Sequence, residues 1–242
     1  MKQNLSYMKR LRNVIFGFFL IVLPIWVQGQ NDTILARLSF TGGVDLASRF
    51  VWRGRDYEHS PAAQPWMEAT YRNFTLGAWG SYKLVGAGIQ ETDLYLKKGF
   101  GDFSVSLWDY YNFTDTLSGN YFDYREATTG HLFELQAAWT SAWEGNTLNL
   151  LMGWFFAGYD KDRSYYIEAQ WTKDLSENQS AGLVLGFTPK AGYYASRAAV
   201  VNAGVFFVHN IKLNSETSLP LNLSLVLNPE EKHLYLVAVL SF

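Results

Sequence analysis

The 242-residue chain has no cysteine, so a disulfide framework and a thiolate metal site are both closed to it. Any exported form must hold its fold by burial and strand pairing alone. After residue 27 it also lacks an apolar run near the roughly 20 residues of a membrane helix. Charge is sparse: 17% of residues are charged and the formal net charge is −2, which lacks the basic footprint of a nucleic-acid binder. No Cys/His cluster and no glycine-rich phosphate loop appears, so no cofactor or metal is expected. What the chain does have is aromatics, 17% of it, including 9 Trp and 15 Tyr. Rings with a polar tip concentrate at membrane–water interfaces, which gives such an excess a physical home.

The N-terminus points the same way. Lys2, Lys9, Arg10 and Arg12 precede an apolar stretch over 14–27 that contains Gly17 and Pro24, followed by the small-residue pattern Val27-Gln28-Gly29. About 14 residues are too few to span ~30 Å of hydrocarbon, so residues 1–29 are expected to be a cleaved secretory signal rather than an anchor. Four of the 20 basic residues lie in it and none of the 22 acidic ones, so the remaining 213 residues carry a net charge of −6.

Beyond a short expected periplasmic segment, 30–43, alternation with period two runs through 44–242. Val44, Leu46, Phe50 and Trp52 form the first apolar face, on which Ser48 is the one polar residue. Later faces include Phe74, Leu76, Ala78 and Tyr82; Leu148, Leu150, Met152, Trp154 and Phe156; and Leu219, Leu221, Leu223, Leu225 and Leu227. About twelve strands of roughly ten residues result, the length a tilted strand needs to cross a bilayer. The fold class is therefore all-β: a transmembrane antiparallel up-and-down barrel. Its outer face meets lipid, and its inner face is the functional surface.

Connection lengths orient it. Segments such as 53–61, 84–90 and 113–130 fall on one end and shorter ones such as 72–73 and 100–102 on the other, so 113–130 is expected to be extracellular. On this parity the lipid-facing aromatics gather at strand ends: Trp52, Tyr82, Trp154, Phe156, Tyr165 and Phe187 at one rim, Tyr71, Phe74, Phe103, Trp139, Trp171, Phe207 and Phe242 at the other. Asp109 is the misfit, an acid on the lipid side. It requires either a bulge or a place at headgroup depth.

Two resemblances follow. The run ending on Phe242, with Leu234, Leu236, Ala238 and Leu240 on its apolar face, resembles the closing strand of outer-membrane barrels of Gram-negative bacteria, which implies that the assembly machinery reads this strand. The stretch from Val44 to Tyr95 resembles the porin family called TorF in its Bacteroidetes version, through Ser48-Arg49-Phe50-Val51-Trp52-Arg53-Gly54, Ser60-Pro61-Ala62 with Gln64, Gly77-Ala78-Trp79-Gly80-Ser81, and Glu91 with Asp93 and Tyr95. Arg55-Asp56-Tyr57 stands where many relatives have Ser-Gln. The resemblance implies an outer-membrane barrel that passes small solutes.

The residues expected to line the lumen are Arg49, Trp66, Glu68, Trp79, Lys83, Glu91, Asp93, Tyr95, Lys97, Glu134 and Glu168. A tight turn at Arg72-Asn73 sets Trp66 opposite Trp79 and Glu68 opposite Gly77. If the next hairpin is symmetric about Ala87, Trp79 opposes Tyr95, Lys83 pairs with Glu91, and Lys97 reaches Glu68 over Gly77. Six inward acids, including Asp45, against four inward bases (Arg49, Arg53, Lys83, Lys97) leave −2, which predicts a weak cation preference. Inward faces of the last four strands are small or apolar (Gly182, Val184, Gly186, Gly204, Phe206), and a loop folded against them would explain that. The alternatives are a closed structural or loop-binding barrel and a lipid hydrolase. The hydrolase is disfavoured because none of His59, His131, His209 and His233 sits two residues before a Ser on an alternating strand. Asp160-Lys161-Asp162 reads as a solvated loop rather than a Ca²⁺ site. Expected partners are outer-membrane lipid, the assembly machinery and small solutes, and no enzyme activity is expected.

Overall fold

The computed structural model describes residues 38–114, 119–214 and 217–242. The strands are β1 (Leu38–Ala47), β2 (Val51–Trp52), β3 (Arg55–Asp56), β4 (Ala62–Tyr71), β5 (Phe74–Lys83), β6 (Ile89–Phe100), β7 (Phe103–Thr114), β8 (His131–Trp143), β9 (Asn146–Gly158), β10 (Tyr165–Ser176), β11 (Gln179–Thr188), β12 (Ala199–Lys212), β13 (Ser218–Asn228) and β14 (His233–Ser241). Twelve of them close an antiparallel barrel in which each pairs with its chain neighbour and β1 meets β14, while β2 and β3 pair only with each other. The seam holds Asp45 opposite Ser241, Leu46 opposite Leu240 and Ala47 opposite Val239. Closure leaves no free edge to be desolvated along this stretch of the wall.

The alternation resolves into two faces as expected. Leu183, Leu185, Val205, Leu223, Leu225, Leu227, Leu234 and Leu236 are exposed on the outer wall. Glu91, Asp93, Ser106, Glu134 and Asn202 are buried toward the interior. This arrangement inverts that of a water-soluble domain and suits a hydrocarbon solvent.

Three expectations need correction. β1 begins at Leu38, so residues 38–43, read as part of a periplasmic segment, pair with β4 from Leu38 opposite Tyr71 to Gly43 opposite Trp66. Gly42 and Gly43 interrupt the alternation and hide the strand. The expected signal segment lies outside the described residues. At its other end β1 stops at Ala47 instead of running to Arg53. Ser48 exchanges hydrogen bonds with Ala238, its N–H donating to the Ala238 carbonyl at 2.8 Å and its Oγ accepting from the Ala238 N–H at 2.9 Å, and the chain then leaves the wall. Phe50 and Trp52 therefore face the interior, not lipid, and Trp52 is no part of an aromatic rim.

The third correction is of register. Opposite Trp79 stands Asp93, opposite Gly77 stands Tyr95, and opposite Glu91 stands Ser81. The β5–β6 hairpin is centred on Gly86, where φ is +75°, rather than on Ala87, which slides β6 by two positions. Trp66 opposite Trp79 and Glu68 opposite Gly77 are as expected.

Candidate functional site

The chain between β1 and β4 folds into the barrel as a two-residue hairpin. Trp52 pairs with Arg55 across the turn, and both turn residues, Arg53 and Gly54, have positive φ (51° and 81°), the backbone of a type I′ turn. An arginine in that conformation is strained relative to Asn or Gly, so its side chain must be held. Arg53 donates through both terminal nitrogens to Glu134 of β8, at 2.6 and 2.9 Å, and also to the Tyr194 hydroxyl. Its guanidinium lies 4.2 Å from the Trp52 ring centre and 4.3 Å from that of Tyr166. Glu134 is 1% exposed and accepts two further bonds, from the Tyr110 hydroxyl at 2.8 Å and Gln136 at 2.6 Å. A buried ion pair is tolerable only when its remaining hydrogen-bonding capacity is met in this way.

Glycines make room for this lock. A Cβ on Gly153 would strike the Glu134 carboxylate, and one on Gly54 would strike the Val201 carbonyl of β12. The hairpin tip thus rests on β12 at Val201, while Val184, Gly204 and Phe206 of the small or apolar stretch line the open space beside it. Around it Trp52 packs on Tyr110, Phe155 and Tyr194, and Phe50 packs on Trp79 with ring centres 5.3 Å apart. Arg55 donates to Glu231 at 2.7 Å and to the carbonyls of Tyr193 and Tyr194, while Arg49 pairs with Asp56.

Beside the hairpin lies a cavity of about 570 Å³. Of the residues expected in the lumen, Trp66, Trp79, Glu91, Asp93, Tyr95 and Glu168 line it. The others are placed differently. Glu134 is sealed behind Arg53. Arg49 belongs to the hairpin. Glu68 accepts from the Tyr95 hydroxyl at 2.7 Å, and it is Tyr95, not Lys97, that lies across Gly77. Lys97 stands opposite Thr75. Lys83 donates to the carbonyls of Glu58 and Ala87 at 3.0 and 2.8 Å instead of pairing with Glu91. Arg53, counted from the sequence among the inward bases, also lines the cavity, as do Trp52, Trp108, Tyr110, Tyr166 and Asn202, which were not among the expected site residues. The available signal was the Arg-Gly pair at 53–54 between alternating apolar residues, a hairpin turn in the middle of what reads as one strand.

The lipid-side acid finds its partner at the rim. Asp109 keeps regular pairing with no bulge in β7, and its Oδ1 lies 2.6 Å from His131 Nδ1, while His131 Nε2 lies 2.6 Å from the Tyr121 carbonyl. Tyr124 of the loop after β7 stacks on the His131 ring and Tyr121 meets it edge-on, so the partner of this acid is enclosed by aromatics. Nearby, hydrogen bonds from Arg125 and Thr128 hold the Asp123 carboxyl well below the usual carboxylate range.

A closed antiparallel barrel with an apolar exterior, a polar interior and a hairpin folded into the lumen is by architecture a porin-like β-barrel. Among solved structures the chain is similar to one described as "KdgM porin", at 9% sequence identity and a TM-score of 0.53, over 83% of this chain and 98% of that one. At that identity the likeness is one of fold. No family model and no curated protein matches the sequence, so the likeness of the Val44 to Tyr95 stretch to TorF rests on those residues alone.

Proposed function

We propose that this protein is an outer-membrane channel passing small hydrophilic solutes by diffusion, with a weak preference for cations. The observation that carries the reading is the cavity left beside the docked hairpin, in a barrel that a tight side-chain filling would have closed. The fold it shares with a protein described as a porin supports it, as does what the TorF resemblance implies. Cation preference is supported by the balance of acidic and basic residues lining the cavity: Glu91, Asp93 and Glu168 against Arg53, which Glu134 neutralises. A hydrolase gains no support from His131, whose two ring nitrogens are occupied by Asp109 and the Tyr121 carbonyl and so offer no general base.

Purified, folded protein is expected to give small conductance steps in planar bilayers, with a reversal potential of cation-selective sign in a KCl gradient. Replacing residues 50–57 by a short Gly/Ser linker should enlarge the steps several-fold, because the hairpin is what narrows the lumen. Protein that shows heat-modifiable gel mobility but never conducts would instead favour the closed structural barrel, a reading that the burial of Arg53, with Trp52 partly buried beside it, makes specific.

A further inference from the structure

We propose that the lumen cavity is a binding site for an organic cation, a ligand with a protonated amine and an apolar body about the size of one ring. Asp93 on the inner face of β6 is 2% exposed, lines the cavity, and its Oδ1 has no hydrogen-bond partner among the described residues. Asn202 Oδ1, on the β12 side of the same cavity, is also buried and unpartnered. Both vacant atoms are acceptors, so the complementary ligand brings donors. Charge argues in the same direction, since Glu91 stands two residues from Asp93 on the same face and Arg53, the one base lining the cavity among the described residues, is bonded through both terminal nitrogens to Glu134. An anionic solute would meet acidic side chains with no basic partner to spare among the described cavity-lining residues.

The surroundings of Asp93 decide between an inorganic and an organic cation. Register places Trp79 directly opposite it on β5 and Tyr110 directly opposite it on β7, with Trp66 opposite Trp79 in turn. An acid flanked in this way by aromatic residues that line the cavity fits an ammonium group whose carbon body can rest against Trp79 and Trp66, the kind of setting that stabilises cation–π pairs. No group of three acidic or histidine residues among those described is arranged to hold a metal ion, so an inorganic cation finds no ready-made ligand set there. The inference deepens the channel reading by naming its solute class, but binding does not require conduction.

The probe is 2-phenylethylammonium, compared with 2-phenylethanol and phenylacetate, titrated against the folded barrel in detergent by calorimetry and tryptophan fluorescence. The ammonium ion is expected to bind about tenfold more tightly than the alcohol, with no saturable binding of phenylacetate. Asp93→Asn should reduce ammonium affinity to that of the alcohol. If that variant fails to acquire heat-modifiable mobility, Trp79→Ala, which keeps the acid and removes a ring, should lose a similar factor. Equal binding of the three probes, or a folded Asp93→Asn or Trp79→Ala protein that binds as the parent does, overturns the proposal. Binding by a barrel that never conducts overturns the channel and leaves the site; conduction without binding does the reverse.

Discussion

At the scale of single residues the interior is organised by glycines facing large polar or aromatic groups. Tyr95 lies across Gly77, Tyr166 across Gly186, Phe206 across Gly182, and the Glu134 carboxylate across Gly153. Each ring or carboxylate can lie along the wall because the neighbouring strand offers no Cβ. The inward direction of Glu134 was legible from alternation. Its partner was not, because Arg53 lies 81 positions away and reaches it from a hairpin that reads as strand. This pair yields a sharp expectation: Glu134→Gln should cost about 3 to 5 kcal/mol in urea unfolding of the detergent-folded barrel, since it strands a buried guanidinium. The double variant Arg53→Met with Glu134→Gln should recover most of that loss. A single variant as stable as the double would show that the ion pair has little bearing on the fold.

At the scale of elements, the twelve wall strands were readable because an outer face in lipid demands an apolar residue at every second position. Boundaries and registers were less so. Residues 38–43 carry two adjacent glycines, and the β5–β6 register depends on which residue of a glycine-rich turn takes the central position, a choice alternation does not encode. Parity itself can be tested on β13, where Leu223 is 40% exposed on the outer wall and its neighbour Asn222 lines the cavity. Leu223→Arg should weaken folding into liposomes by about 2 to 4 kcal/mol, the cost of a charge near the bilayer midplane. Asn222→Arg should fold nearly as the parent does, and equal penalties would reverse the assigned faces.

At the scale of the whole molecule, barrel closure was legible and the occupied lumen was not, because the hairpin is fixed by long-range partners. Its bonds run from Arg53 to Glu134 and Tyr194 and from Arg55 to Glu231, across separations of 81, 141 and 176 positions. These partners stand on separate strands and loops of the wall, so the place that receives the hairpin exists only once the barrel has closed, its own seam joining Ser48 to Ala238 across 190 positions. In refolding, the fluorescence change absent from a Trp52→Phe variant should therefore trail the appearance of heat-modifiable mobility, and a Trp52 change that leads it would contradict this order. The Arg55 contacts have one more consequence. The same side chain that braces the hairpin also grips Glu231 and the Tyr193 and Tyr194 carbonyls of two rim loops, so the mouth of the barrel and its narrowing are mechanically one part. Thermodynamic reciprocity then applies: a molecule that seizes those loops in their tethered arrangement favours the narrowed lumen, and a solute that displaces the hairpin loosens the grip of that molecule by the same factor.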